Sequence, residues 1–403
     1  MLVRNSIYLL TERFTNALSS FLTMVIAANL LSITEFGEYT YNTAVFGILA
    51  PIVFFGLNGL LVKRLIESGD VASVILNATL VRFIAFLVVA VALVIFAALS
   101  SSISLLLLIA LFACIFQTFE AYNQAFQRNY ITVFVRISVT VTFLVIKLFL
   151  LWHGDVEKQG ILMVFVGEFF LYFSVGFWVS TKLRVNLSLI NLQEIKILVS
   201  GSVFLLASGF AEILNLRIDQ VMIAEYIGSE AVGQYSVGVR FIEFSVMFAA
   251  AIAAAYYPKL AALQRSDAEF YAGIRMINLV MLVLATCFIV VLYFLGPTLI
   301  SIFFGNGFDE AKIVMLYLLP CVYLLFFRVV ISKWIVATGT YWYSLFSHSF
   351  GAIVNIILNL LLLPIWGITG AVVASLISYF VACWIALIFH PKTREYLRNA
   401  YFA

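Results

Sequence analysis

Apolar runs about 20 residues long recur along the whole chain, and they constrain the fold more than any motif does. Residues 80–99 carry a single charge, Arg82, and residues 279–295 carry none. A helix of that length crosses roughly 30 Å of hydrocarbon. Within lipid every backbone N–H and C=O must be paired inside the chain, which leaves helices and closed barrels. The period-two alternation of barrel strands is missing, so the chain reads as an all-α integral membrane protein. Composition agrees: 64% of the 403 residues are hydrophobic and 11% are charged, against roughly 45–50% apolar residues in soluble domains.

Breaks at Gly, Pro, Asn and Asp place about twelve spanning helices, near residues 5–32, 38–62, 73–99, 103–127, 130–152, 160–181, 197–226, 230–257, 270–295, 311–337, 341–363 and 367–389. Lys and Arg are retained on the cytoplasmic side of a membrane. Arg4, Lys63, Arg64, Arg128, Lys182, Arg184, Lys196, Lys259, Arg265, Lys392, Arg394 and Arg398 alternate as twelve helices require, with Lys158 and Lys312 opposite them. Both termini are therefore expected on the cytoplasmic face. Arg82 and Arg128 lie near predicted cytoplasmic ends, within reach of headgroups. Glu12 and Arg13 interrupt the apolar stretch a signal peptide needs, so the first helix is read as retained.

The expected organisation is an N-lobe of six helices over residues 1–182, a cytoplasmic linker over 183–196, a six-helix C-lobe over 197–389 and a cytoplasmic tail over 390–403. The connections are too short for a soluble domain. Cys114, Cys287, Cys321 and Cys383 sit in apolar runs without metal-ligand spacing, so neither a disulfide framework nor a metal site is indicated. A net charge of +3 spread over short loops points to no nucleic-acid partner.

An internal repeat suggests a transporter. Residues 23–40, TMVIAANLLSITEFGEYT, align at a constant offset with residues 219–236, DQVMIAEYIGSEAVGQYS. Val25 meets Val221, Ala28 meets Ala224, Gly37 meets Gly233 and Tyr39 meets Tyr235. The match sets the end of helix 1 on the end of helix 7. Six is even, so the halves form a parallel repeat about an axis along the membrane normal, with the substrate path expected between them.

Ionisable side chains inside a span cost roughly 2.5–3.5 kcal/mol each and face protein or water. In helix 1, Glu12, Asn16, Ser19 and Thr23 share one face, with Arg13 beside it. Helix 4 carries Gln117, Glu120, Gln124 and Gln127, and helix 5 carries Arg136, Thr140 and Lys147. Helix 7 sets Glu212, Asn215 and Asp219 on one side and Arg217 on another. Helix 8 adds Ser236, Arg240 and Glu243, helix 10 adds Arg328, Ser332 and Lys333, and helix 11 lines up Ser344, His348, Gly351, Asn355 and Asn359. Two uses stay open for each group: helix-to-helix fastening, or contact with cargo. Taken together, so many intramembrane cations suit an anionic ligand rich in hydrogen-bonding groups, such as a sugar-bearing diphosphate, because arginine grips phosphate through a planar fork and keeps its charge when desolvated.

The stretch RIDQVMIAEYIGSEAVGQYSVGVRFIE, residues 217–243, resembles the helix 7 to helix 8 segment of polysaccharide-lipid flippases. It matches their R-x-D-Q core at Arg217, Asp219 and Gln220, their A-V-G-x-Y-S run at Ala231, Val232, Gly233, Tyr235 and Ser236, and the arginine that follows at Arg240. ITEFGEYTY, residues 33–41, resembles the family's L-x-P-x-x-F/Y-G-x-Y segment without its proline. The chain is thereby identified as a member of the polysaccharide transport branch, home of the Wzx-type O-antigen flippases, of the multidrug/oligosaccharidyl-lipid/polysaccharide (MOP) exporter superfamily.

That resemblance implies a V-shaped, MATE-like transporter of two six-helix lobes in the bacterial inner membrane, working by alternating access and without covalent chemistry. Its implied cargo is an undecaprenyl-diphosphate-linked oligosaccharide. Arg13, Arg136, Lys147, Arg217, Arg240, Arg328 and Lys333 are the candidate diphosphate or acidic-sugar contacts. Glu12, Asn16, Glu120, Glu212, Asp219, Glu243, His348 and Asn355 are the candidate polar or ion-coupling residues. No cofactor is expected beyond a coupling Na+ or H+. A polysaccharide polymerase and a chain-length regulator are expected partners besides the bilayer. The rival readings are a cation-coupled multidrug exporter of the same superfamily, which the abundance of intramembrane Arg and Lys opposes, and a membrane glycan polymerase or ligase, for which the outer loops are too short.

Overall fold

A computed structural model describes residues 2–99, 103–153, 158–181, 187–263 and 266–402; the side chains of residues 2–7, 9, 10, 12, 13, 99, 153, 187 and 402 lie outside that description. The described residues are helical almost throughout and contain no strand. Ten helices are long and apolar enough to cross a membrane. Two further helical segments, α1 (Leu2–Leu30) and the stretch over residues 107–125, complete the twelve expected. Val88, Val91, Phe134, Trp178, Phe294 and Ile302 stand more than half exposed on these helices, as side chains turned to lipid do.

Two of the expected helices are broken. Ser32 caps α2 (Ile33–Phe54): its hydroxyl accepts from the Glu35 N–H, while the Glu35 carboxylate takes the Ser32 N–H at 3.1 Å. The helix stops where Phe55 and Gly56 turn left-handed, at φ 57° and 61°. A Cβ on Gly56 would lie 2.5 Å from the Leu206 backbone nitrogen, so only glycine allows this approach. The chain restarts as α3 (Asn58–Glu67); Leu57 just before it, with Leu61 and Leu65 on it, packs on Val74, Ile75, Ala78, Ala121 and Leu198. After α4 (Val71–Leu99), the expected helix over 103–127 resolves into α5 (Leu107–Ala113), a tighter 3-10 turn (Cys114–Gln117) and α6 (Thr118–Ala125). That change of pitch splits the expected polar face: Gln117 is buried, whereas Gln124 and Gln127 are exposed. Arg82 on α4 does not snorkel. It is fully buried and donates to the Phe54 carbonyl at 3.3 Å and Asn58 Oδ1 at 2.8 Å, because the α2–α3 break turns those acceptors toward it.

The remaining helices are α7 (Asn129–His153), α8 (Lys158–Thr181), α9 (Leu192–Tyr226), α10 (Ser229–Ala262), α11 (Asp267–Phe304), α12 (Asp309–Thr338), α13 (Tyr341–Trp366), α14 (Ile368–Cys383) and α15 (Pro391–Leu397). The contacts divide the chain into residues 1–213 and 214–403, a boundary inside α9. In the first unit α7 packs on α1 and α8, α8 on α5 and α6, and α3 on α6. The start of α9 belongs here: Arg64 forms an ion pair with Glu194, and the Leu189 carbonyl accepts from Ser73 at 3.0 Å and Asn77 at 3.1 Å.

In the second unit α10 packs on α11 and α12, and α14 packs on α12 and α13. Its last residues are an integral layer. Thr393, Tyr396 and Ala400 are buried, the Tyr396 ring lies 4.7 Å from that of Trp334, and Arg275 donates to the Asn399 carbonyl at 2.9 Å.

Candidate ion and substrate sites

Asp219 is the centre of the second unit's polar interior. It sits on α9 seven residues before that helix ends and is 1% exposed. One oxygen, Oδ2, accepts from the Tyr235 hydroxyl on α10 at 2.8 Å and the Ser375 hydroxyl on α14 at 2.5 Å. The other, Oδ1, accepts from the Asn359 amide on α13 at 2.6 Å. That amide also reaches Asn355 Oδ1 at 2.9 Å, and Asn355 in turn donates to Ser378 at 3.3 Å. No lysine or arginine pairs with Asp219 among the described residues. The side-chain carbonyl oxygens of Asn359 and Asn215 have no hydrogen-bond partner there either. A buried carboxylate ringed by neutral dipoles and spare acceptor oxygens is an environment that favours a small cation.

The first unit has a second buried carboxylate, on different terms. Lys147 of α7 and Glu168 of α8 form an ion pair at 2.5 Å, with the lysine side chain 3% exposed. The ammonium also donates to Thr23 Oγ1 at 2.6 Å, and Ser19 donates to the other Glu168 oxygen at 2.7 Å. Both hydroxyls come from α1.

The guanidiniums fall into three groups. Buried Arg136 lies over the Tyr172 ring, 3.3 Å from its centroid, and the Tyr172 hydroxyl donates to Glu120 at 2.8 Å. Half-buried Arg217 and Arg240 share Glu243, at 2.9 and 3.3 Å. Arg217 and Asp219 are two residues apart and project from different sides of α9, although both reach α10, the arginine at Glu243 and the carboxylate at Tyr235. Arg328 on α12 donates to Ser347 at 2.9 Å and His348 Nε2 at 2.6 Å. A guanidinium only donates, so the ring nitrogen accepts and the histidine is neutral, with its proton on Nδ1. Half-buried Lys333 lies 6.0 Å from the Tyr257 ring.

Of the other candidates, Asn16 and Glu212 are exposed, and the side chains of Glu12 and Arg13 lie outside the described residues. The structure thus gathers Asp219 with Asn355, Arg217 with Arg240 and Glu243, Arg136 with Glu120, and Arg328 with His348. It also supplies residues absent from the candidate set: Glu168, Tyr172, Tyr235, Asn359 and Ser375. Glu168 was detectable as the one acidic residue of α8, a position where an ionisable group marks a site by default.

Twelve helical segments among the described residues define a multi-pass membrane protein, and solved structures place its fold. A MATE-family multidrug transporter of the MOP superfamily in an inward-facing conformation superposes with TM-score 0.75 at 11% identity, over 95% of this chain and 96% of that one. The lipid II flippase MurJ, inward closed, gives 0.76 at 12%, over 99% and 90%. The chain belongs to the polysaccharide biosynthesis protein family, whose profile matches residues 2–264; a MatE profile also matches residues 206–361. Similar sequences include the "Capsular polysaccharide biosynthesis protein CapF" of Staphylococcus aureus, 23% identical over 94% of this chain and 97% of the relative. The "Probable low-salt glycan biosynthesis flippase Agl15" of Haloferax volcanii is 22% identical over 94% and 81%.

Proposed function

We propose that this protein is a flippase for lipid-linked glycan. It moves an undecaprenyl-diphosphate-linked oligosaccharide from the cytoplasmic to the outer face of a bacterial inner membrane by alternating access, with both of its own termini cytoplasmic. Family membership and the glycan-flippase names of its relatives support the class. The observation that carries the cargo's chemistry is the Arg217–Glu243–Arg240 cluster: two guanidiniums share one carboxylate while each stays about a quarter exposed. Such a cluster keeps a bidentate donor face for a diphosphate or acidic sugar. Arg328, bonded only to neutral acceptors among the described residues, adds a further guanidinium.

The driving ion is sodium, held at Asp219 by its carboxylate and by the Asn359 and Asn215 carbonyl oxygens. A proton would neutralise Asp219 and leave those acceptors unused. Sodium binding would reorganise hydrogen bonds joining α9, α10, α13 and α14, which gives the ion leverage over helix positions. A polymerase and a chain-length regulator would act on the product.

Deletion of the gene should leave complete lipid-linked units on the cytoplasmic leaflet, with an Arg217→Ala allele failing to clear them at normal protein levels. Complete units on the outer leaflet with altered polymer length would favour a polymerase instead. Sensitivity to hydrophobic cations with normal glycan would favour a drug exporter.

A further inference from the structure

We infer that Lys147 is the resident cation of the first unit, an ammonium tethered where a mobile ion would otherwise bind, so that only the second unit exchanges an ion. The two buried clusters are built alike. Each draws on the first, fifth and sixth spanning helices of its half: Ser19 and Thr23, Lys147, and Glu168 in one; Asp219, Asn359, and Ser375 in the other. Thr23 aligns with Asp219 in the sequence repeat, and each lies seven residues before its helix ends, at Leu30 and at Tyr226. Each cluster holds one carboxylate and two hydroxyls, with Tyr235 supplying the second in the later unit. They differ in where the carboxylate sits, on the sixth helix of the first half and on the first helix of the second, and at the fifth helix, where one has the amide of Asn359 and the other the ammonium of Lys147.

The Lys147 ammonium contacts Glu168 Oε2 and Thr23 Oγ1, oxygens of the kind that would coordinate a monovalent cation. A pair used only to fasten helices gains little over packed apolar residues, because desolvating both charges offsets their attraction. Its place on the same helices of the half as the Asp219 cluster, beside the repeat-matched Thr23, gives the pair a different purpose: a permanently filled site costs the cycle no ion. Removing the lysine should therefore convert this cluster into a second sodium site, made of Glu168, Ser19 and Thr23. This inference extends the sodium reading of Asp219 and can fail separately from it.

The experiment follows unfolding of purified full-length protein in sodium chloride and in choline chloride at equal ionic strength. Lys147→Ala should be less stable than wild type in choline, and saturating sodium should raise its midpoint by about 5 °C or more beyond the wild-type response. The gain should persist in Lys147→Ala/Asp219→Asn and vanish in Lys147→Met/Glu168→Gln, which has no buried charge to satisfy and keeps the side-chain volume. If Lys147→Ala cannot be purified in choline but is recovered from cells and detergent in sodium, the inference stands. A Lys147→Ala protein that neither sodium nor lithium stabilises, or that is lost in all salts while the double variant folds, overturns it. A wild type indifferent to sodium beside a responsive Lys147→Ala would overturn the Asp219 reading alone.

Discussion

Glu168 and Asp219 are both carboxylates deep in membrane helices, yet one is matched by a lysine and the other by hydroxyls and amides. The difference separates a charge that is balanced within the fold from one with no cationic side chain beside it among the described residues. A buried ion pair is closed, since its attraction is spent inside the protein. A carboxylate held by neutral dipoles keeps its long-range field and remains open to an ion. The first, fifth and sixth helices of each half contribute to both arrangements, but the carboxylate stands on the sixth in one half and on the first in the other, and the fifth carries a lysine in one and an asparagine in the other.

The comparison breaks most sharply under neutralisation. Glu168→Gln strands the Lys147 ammonium and should destabilise the protein by about 3–5 kcal/mol. Asp219→Asn removes a charge with no cationic partner among the described residues and should stay within about 1 kcal/mol of wild type in sodium-free buffer. Thermal unfolding in detergent checks both, and equal losses would mean that the two carboxylates are alike. Next in size, Tyr235→Phe deletes a hydrogen bond to a charged acceptor, for about 1.5–3 kcal/mol. In an Asp219→Asn background the same change should fall to about 1 kcal/mol, which a double-mutant cycle measures.

Outside the two clusters the effects shrink. Arg217→Ala opens a partly exposed pair and should cost at most about 1 kcal/mol of stability, while clearance of lipid-linked glycan drops at least about tenfold, the equivalent of one lost 1.4 kcal/mol contact. Glu67→Ala, which removes an exposed partner of Lys63, should change stability by less than about 0.5 kcal/mol and leave transport unaltered.

Much of this was readable from residues alone, because lipid imposes its own grammar. Helix number followed from run length, and the polar face of α13 followed from the period of His348, Asn355 and Asn359, all of which are buried. Arg217 and Asp219 were separable by helical angle: both meet α10, but only Asp219 also bonds to α13 and α14. The break between α2 and α3 was hidden, since a left-handed Phe55 leaves no compositional sign even beside Gly56. Glu168 escaped because face counting rewards several polar residues on one helix, whereas its partners lie on α1 and α7. Ser375 reads as a small packing residue until Asp219 is placed next to it. Arg82 was misplaced for a related reason: distance along the helix suggested a headgroup, and a turn from another part of the chain supplied its acceptors.

The claim that the second unit alone exchanges an ion is tested most directly by equilibrium binding of radioactive sodium to the purified wild-type protein and to Asp219→Asn. The account predicts one saturable sodium per wild-type chain and none in Asp219→Asn. Sodium bound equally by both proteins, or by neither, would contradict it.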